Sequence, residues 1–279
     1  MGVMESSWAL RLVVASSLPI LYWIRHSLPF SWHLRVLLPY YVRRWRYTST
    51  KPGPGISLGN PMLQLDALPI GKDPFVESYS MSFQATVDDC DFMGHLSNSC
   101  YPKSLDISRS HFAADILLQF ASDGGYVPLA STSFKFVKKI SFLAKYTIRS
   151  DVYAWGEKWF YLRNQFVSRS KQGDETVHCI SITKHCYKLG RKTIPPWFVM
   201  AYSGYSPSTS VDRLANWKKS QALRIQLQKI NPRDNPLKAF QPVRGLESPK
   251  EEWMSPEYWD LGDWQEECHV RIKQLYQYY

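Results

Sequence analysis

The sequence predicts an α+β domain in which one long helix lies against an antiparallel sheet. Three observations carry this. A strand-like run is followed by a long apolar-periodic segment, four further strand-like runs come next, and short turns join several of them. With 279 residues, 44% of them hydrophobic, the chain can bury one sizeable core with appendages.

The first strand is expected over 78–88, SYSMSFQATVD. Residues 99–121 read as the helix: Tyr101, Leu105, Phe112, Ile116 and Phe120 recur every three or four residues, and Ala113 and Leu117 widen the stripe. Pro102 is tolerated in the first helical turn, where its missing N–H has no intrahelical partner. Asp123-Gly-Gly ends the segment. Strands are expected over 126–139, 145–155, 158–169 and 175–189, with turns at Gly156-Glu157 and Lys171-Gln-Gly-Asp. Tyr146, Ile148, Val152 and Ala154 share one face, as do Phe160, Leu162 and Phe166. Tight turns between successive strands predict an antiparallel meander.

Around this body, 75–192, lie three other regions. Residues 1–50 are apolar and basic, 51–74 form a Pro- and Gly-rich linker, and 193–279 form a partly helical extension. The extension has helix-like stretches at 212–230 and 263–279, and its role is open between covering the sheet and capping a pocket.

The formal charge is +10, and the first fifty residues supply about half of it through six arginines against Glu5. Those arginines sit beside the apolar runs 8–24 and 28–42, which favours a membrane surface through residues 8–47 over nucleic acid. A helix pair packed on the domain is the alternative. The expected placement is membrane-associated with the catalytic domain in the cytosol, or otherwise cytoplasmic. Five irregularly spaced cysteines give neither a disulfide framework nor a zinc site. His178 and His185 each precede a cysteine, but their spacing predicts opposite strand faces, so no metal is expected.

The chemistry-bearing segment is Asp88-Asp89-Cys90-Asp91-Phe92-Met93-Gly94-His95-Leu96-Ser97-Asn98-Ser99-Cys100-Tyr101, between the first strand and the helix. A helix N-terminus offers free backbone N–H groups and partial positive charge to a developing oxyanion. Gly94 permits close backbone approach. Asp91 is a candidate base or nucleophile, while His95 and Asn98 are hydrogen-bonding side chains beside it. Against these roles stand ordinary ones: Asp91 as a turn residue, Asn98 as an N-cap, His95 as a structural hydrogen-bonding group, Tyr101 as core. Asp88 and Asp89 read as turn or surface carboxylates. Cys90 and Cys100 lack a His–Asp partner pattern.

Asp91, Gly94, His95, Asn98 and Tyr101 fall in register with the D-x-x-G-H-x-N-N-x-x-Y pattern, so the segment resembles the hotdog superfamily, in its 4-hydroxybenzoyl-CoA-thioesterase-like branch. Ser97 replaces the first Asn of the usual pair. The order of helix and strands and Phe134-Lys-Phe-Val-Lys extend the resemblance, and the N-terminal LPFSWHLRVL is similar to fungal thioesterase-like proteins of natural-product pathways. The resemblance implies a hotdog fold, hydrolysis of an acyl-CoA or acyl-carrier-protein thioester without a cofactor, and a homodimer or higher oligomer. The catalytic residues it implies are Asp91, His95 and Asn98, with substrate contacts from Gly94, Tyr101 and a partner's Ser131, Thr132 and Ser133. A dehydratase or acyltransferase, or a non-catalytic acyl- or membrane-binding protein, are the competing readings. Lys135, Lys138, Lys139, Lys145 and Arg149 would meet coenzyme A phosphates or an acidic carrier, or else form a solvated sheet edge.

Overall fold

The structure is a computed structural model, and it describes residues 28–49, 68–170, 172–230, 236–239 and 251–278, together with residues 11, 15–18 and 24. Most of the first apolar run and most of the Pro/Gly linker lie outside the described residues.

Helix α1 (Ser31–Ser49) precedes strand β1 (Ser78–Gln84) and the long helix α2 (Cys100–Ile116). A short α3 (Leu118–Ser122) follows, then β2 (Leu129–Phe136), β3 (Lys145–Trp155), β4 (Phe160–Arg169) and β5 (Glu175–His185). A small hairpin, β6 (Tyr187–Leu189) with β7 (Lys192–Ile194), leads into α4 (Pro196–Tyr202), α5 (Ala215–Ile230) and α6 (Trp264–Tyr278). The α+β expectation therefore holds. The single helix read over 99–121 is broken at Leu117, whose ψ of 21° takes it out of helical conformation.

The five-stranded antiparallel sheet has the order β1-β3-β4-β5-β2. Only β3, β4 and β5 form a meander. β2 pairs with β5 at the far edge, so the meander predicted for the whole run is corrected there. The chain crosses from the β2 edge back to β3, the neighbour of the β1 edge, through residues 137–144. Three inter-strand steps need about 14 Å, and a chain of that length reaches roughly 26 Å. The crossing passes the start of α2, where the Leu96 N–H donates to the Ile140 carbonyl at 2.8 Å and the Phe142 N–H to the Gly94 carbonyl at 2.9 Å. The topology thus ties the chemistry-bearing segment to the β2–β3 connection.

α2 seats on the sheet through Leu105, Phe112 and the small Ser104 and Ser108, all buried. Opposite it lie Tyr146, Ile148, Val152, Phe160, Leu162 and Phe166, the alternating residues expected to share a face. A polar row crosses this apolar face: Ser150 donates to Asn164 Oδ1 at 2.8 Å, and the Asn164 amide lies 3.4 Å from Thr183 Oγ1. The row satisfies groups that would otherwise be buried without partners.

The C-terminal extension shares the core. One hydrophobic cluster runs from Phe112 and Phe160 through Phe198, Tyr202 and Tyr205 to Trp253, Trp259 and Trp264. α6 packs on β3: Trp155 and Trp264 meet edge to face at 5.5 Å, and the Trp155 N–H points to Cys268 Sγ at 3.2 Å. Asp123, Arg224 and Tyr202 form a buried network, with Tyr202 donating to Asp123 Oδ2 at 2.6 Å and Arg224 Nη1 to Asp123 Oδ1 at 3.1 Å. Between covering the sheet and capping a pocket, α6 does the former for β3.

α1 lies along α2. Arg43 pairs with Asp115, and Tyr40 reaches the Ala121 carbonyl at 3.4 Å. Among the described residues no helix is long and apolar enough to cross a membrane. α1 meets the domain through these Arg43 and Tyr40 contacts.

Candidate active site at the start of the long helix

Asp91 begins a tight loop. Its Oδ1 accepts the Met93 N–H at 2.9 Å and the His95 N–H at 3.3 Å, while the Asp91 N–H donates to the His95 carbonyl at 2.9 Å. This is the Asx-type turn for which Asp is favoured. The turn reading and the catalytic reading are compatible, because Oδ2 takes part in none of these bonds and the residue is exposed. Gly94 sits at φ 73°, which L residues avoid, and a Cβ placed there would meet nothing within 4 Å. The glycine is thus required by backbone conformation, and the space above it is open to a substrate.

The other motif residues divide clearly. His95 is half-buried and bridges to Ser141 across the β2–β3 connection. Asn98 is exposed, two residues before α2; the N-cap position belongs to Ser99, one residue later than expected. Ser97 Oγ lies 2.9 Å from Ser99 Oγ. Tyr101 is 2% exposed, with its ring 5.0 Å from that of Phe136 and 4.9 Å from that of Phe166. Burial pushes its hydroxyl up to about 12. Tyr101 is thus a core side chain beneath the site. Ser131, Thr132 and Ser133 lie on β2, the sheet edge, and no hydrogen bond among the described residues links them to the motif segment.

Of the rival carboxylates, Asp89 is buried, not a surface group. It accepts from Thr86 Oγ1 at 2.7 Å and faces Lys103 Nζ at 3.3 Å, which uses it in structure. The Cys90 thiol is pushed up by burial and by the Asp89 and Asp91 charges, and Cys100 by burial and Asp89. Both environments disfavour the thiolate that a nucleophile needs.

Around Asp91 the surface is apolar. Phe92 is fully exposed, and Met93, Phe136, Val137, Phe142 and Leu143 are exposed beside it. Lys135 at the end of β2 and Lys138 and Lys139 on the β2–β3 connection are exposed. Arg149 drops out of the predicted basic cluster, because its guanidinium is held by Gln165 and Glu175, each at 2.9 Å. The histidine pair is also clarified. His178 Nδ1 lies 3.0 Å from the Lys139 carbonyl and His185 Nε2 lies 2.9 Å from Thr183 Oγ1. A register shift at Phe166/Val167 interrupts the strand alternation on which the opposite-face argument relied, and both rings are buried.

Residues 85–201 match the sequence model of the thioesterase-like superfamily, and the match spans the Asp91 loop, α2 and strands β2 to β7. The likeness is to that superfamily and is carried by this segment. Named relatives agree. A Saccharomyces cerevisiae protein described as a "probable thioesterase" is 38% identical over 129 residues, covering 45% of this chain and 54% of its own length. A thioesterase of Purpureocillium lilacinum is 27% identical over 160 residues, covering 50% of this chain and 52% of its own. The chain thus spans about half the length of these relatives. A solved structure of 4-hydroxybenzoyl-CoA thioesterase with its coenzyme A substrate is similar over 43% of this chain and 92% of that one, at 19% identity and TM-score 0.39.

One functional feature had no place in the sequence reading. Arg109 falls on the helix stripe between Leu105 and Phe112, and its side chain is 11% exposed. A lone arginine at an apolar position of an amphipathic helix was the signal available.

Proposed function

We propose that the protein hydrolyses acyl thioesters at Asp91. The observation that carries this is the Asp91–His95 turn, which holds Asp91 Oδ1 by two backbone N–H groups just before α2, with open space at Gly94. In the proposed step Asp91 takes a proton from water, and the water oxygen adds to the acyl carbon. The carbon–sulfur bond then breaks, and the thiol leaves with a proton. Backbone N–H groups near the start of α2 and the His95 and Asn98 side chains stabilise or orient the carbonyl oxygen. Exposed Lys135, Lys138 and Lys139 suit the phosphates of coenzyme A or the acidic face of a carrier protein. Release of a polyketide, peptide or fatty-acyl chain is the kind of pathway step this activity would serve.

A homodimer completes the site in this reading. The apolar surface around Phe92 and Phe142 and the unpaired outer edge of β2 are what a second copy would cover, bringing its Ser131–Ser133 toward Asp91. The test is release of free thiol from a series of acyl-CoA and acyl-carrier-protein substrates. Absence of release from every member would defeat the proposal.

A peripheral membrane placement is favoured by a separate observation. Leu34, Leu37, Leu38, Tyr41 and Trp45 form one exposed stripe along α1, continued by Phe30 just before it, and the helix carries arginines and no acid. The occupant proposed is an anionic lipid surface, which matches both the stripe and the charge, with the catalytic domain on the cytosolic side. Flotation with phosphatidylserine vesicles tests it. Equal flotation after Leu37→Glu and Trp45→Glu would refute it.

A further inference from the structure

A cavity of about 300 Å³ lies against the second half of α2. Asp106, Arg109, Ser110 and Ala113 present one helix face to it. Arg109 is nine residues beyond Cys100, roughly 14 Å along the helix axis, so the cavity is separate from the Asp91 loop. Trp32 and Val36 of α1 form part of its wall, and they precede the matched segment 85–201. This site is therefore built by the N-terminal helix together with the conserved-fold domain, and not by that domain alone.

The lining is mostly apolar: Phe160, Leu162 and Leu129 join Trp32 and Val36. The polar lining residues are Asp106, Arg109, Ser110 and His185, and among them Arg109 carries the unmatched cationic donor. Its Nη2 pairs with Asp106, but its Nη1 is buried without a hydrogen-bond partner. A guanidinium carries five N–H donors, and a buried one left unmatched is costly unless an acceptor arrives. His185 also lines the cavity, and burial together with the Arg109 charge lowers it to about 3, so its ring is neutral there. The cavity thus offers the Arg109–Asp106 pair with one guanidinium nitrogen left unmatched, the Ser110 hydroxyl, one neutral imidazole and otherwise apolar walls. Its volume lies at the small end of the range for organic ligands.

We propose that this cavity binds an apolar monocarboxylic acid, with the carboxylate on Arg109 and the chain between α1 and the sheet. Guanidinium and carboxylate match in a planar, charge-assisted geometry. The apolar wall excludes a phosphorylated or multiply charged ligand, which would bury further charge without partners. Acids of this class are what a thioester hydrolase releases, and in that respect the ligand's source rests on the proposed function. Its binding does not, because it is measured without turnover.

The experiment is calorimetric titration of the full chain with decanoate and with 1-decanol, which differ only in the head group. Wild type is expected to bind the acid at least about tenfold more tightly than the alcohol, the size of one charge-assisted contact. Arg109→Met is expected to remove that preference while leaving the alcohol's affinity within about threefold. Ser110→Phe, which fills the cavity from a half-buried helix position, is expected to abolish binding of both and serves if Arg109→Met does not fold. Asp91→Asn is expected to leave decanoate affinity unchanged. Equal affinity for acid and alcohol in wild type, no binding of either, unaltered binding in Ser110→Phe, or a tenfold loss in Asp91→Asn would each overturn the proposal. Failed thiol release with intact decanoate binding would instead count against the hydrolase reading alone.

Discussion

Replacing Asp91 by Asn separates the turn from the chemistry. The turn uses only Oδ1, which accepts the Met93 and His95 N–H groups at 2.9 and 3.3 Å. Asn keeps a carbonyl oxygen at that position, so both bonds survive and stability should change by less than about 0.5 kcal/mol. What Asn cannot do is accept a proton from water. Loss of a general base costs typically 10²–10⁴-fold. The expected result is a kcat for thiol release reduced at least about 100-fold, with a melting temperature within about 2 °C of wild type. Asp91→Ala is the informative partner. It removes the base and both turn bonds, so it should lose activity equally and also cost about 1 kcal/mol. The assay is thiol release from an acyl-CoA substrate, run beside thermal denaturation of all three proteins. An Asn variant with kcat within threefold of wild type would refute the base assignment. An Ala variant as stable as the Asn variant would refute the claim that the carboxylate builds the loop.

Gly94→Ala meets no atom within 4 Å, so its cost is conformational alone, about 1–2 kcal/mol for a φ of 73°; a chemical denaturation midpoint reads it. Arg224→Met leaves Asp123 buried without its cation, which should destabilise by about 3–5 kcal/mol, and a thermal melt unchanged within 2 °C would contradict the network seen at Asp123, Tyr202 and Arg224. Cys90→Ala and Cys100→Ala should retain turnover, because both thiols are held above their ordinary range, first of all by burial; loss of activity in either would revive a thiol nucleophile. His185 is lowered to about 3 in the fold against an ordinary 6.5, so the unfolded chain binds the extra proton between those values. Its contribution is fully present above pH 6.5 and is lost as pH falls toward 3, by up to about 1.4 kcal/mol per pH unit; His185→Gln should flatten that slope in pH-dependent denaturation.

Much of the site was legible because its residues act through local backbone geometry. An Asp three residues before a Gly, followed by a helix-start pattern, encodes a turn and a helix entry within one short stretch, and the Asp91 Oδ1 bonds and the Gly94 φ follow from that stretch. The strands were legible for the same kind of reason: Tyr146, Ile148, Val152 and Ala154 alternate, and one buried sheet face imposes that period. Arg109 was not legible as a cavity residue, because its meaning depends on α1 and β5 arriving from distant parts of the chain. Asp89 looked like a surface turn residue for the same reason; its Thr86 partner is local, but its burial is not.

The sequence by itself determined the α+β class, the helix and strand positions to within a few residues, and the turn and helix entry over Asp91–Asn98. Hydrophobic period and turn residues carry that information over short distances. Only the tertiary structure decided that β2 crosses to pair with β5, that α1 packs on α2 while keeping an apolar stripe outward, and that the C-terminal aromatics join the domain core. Each of these depends on which buried surfaces meet, and strand order and helix docking are set by non-local burial that no single segment encodes.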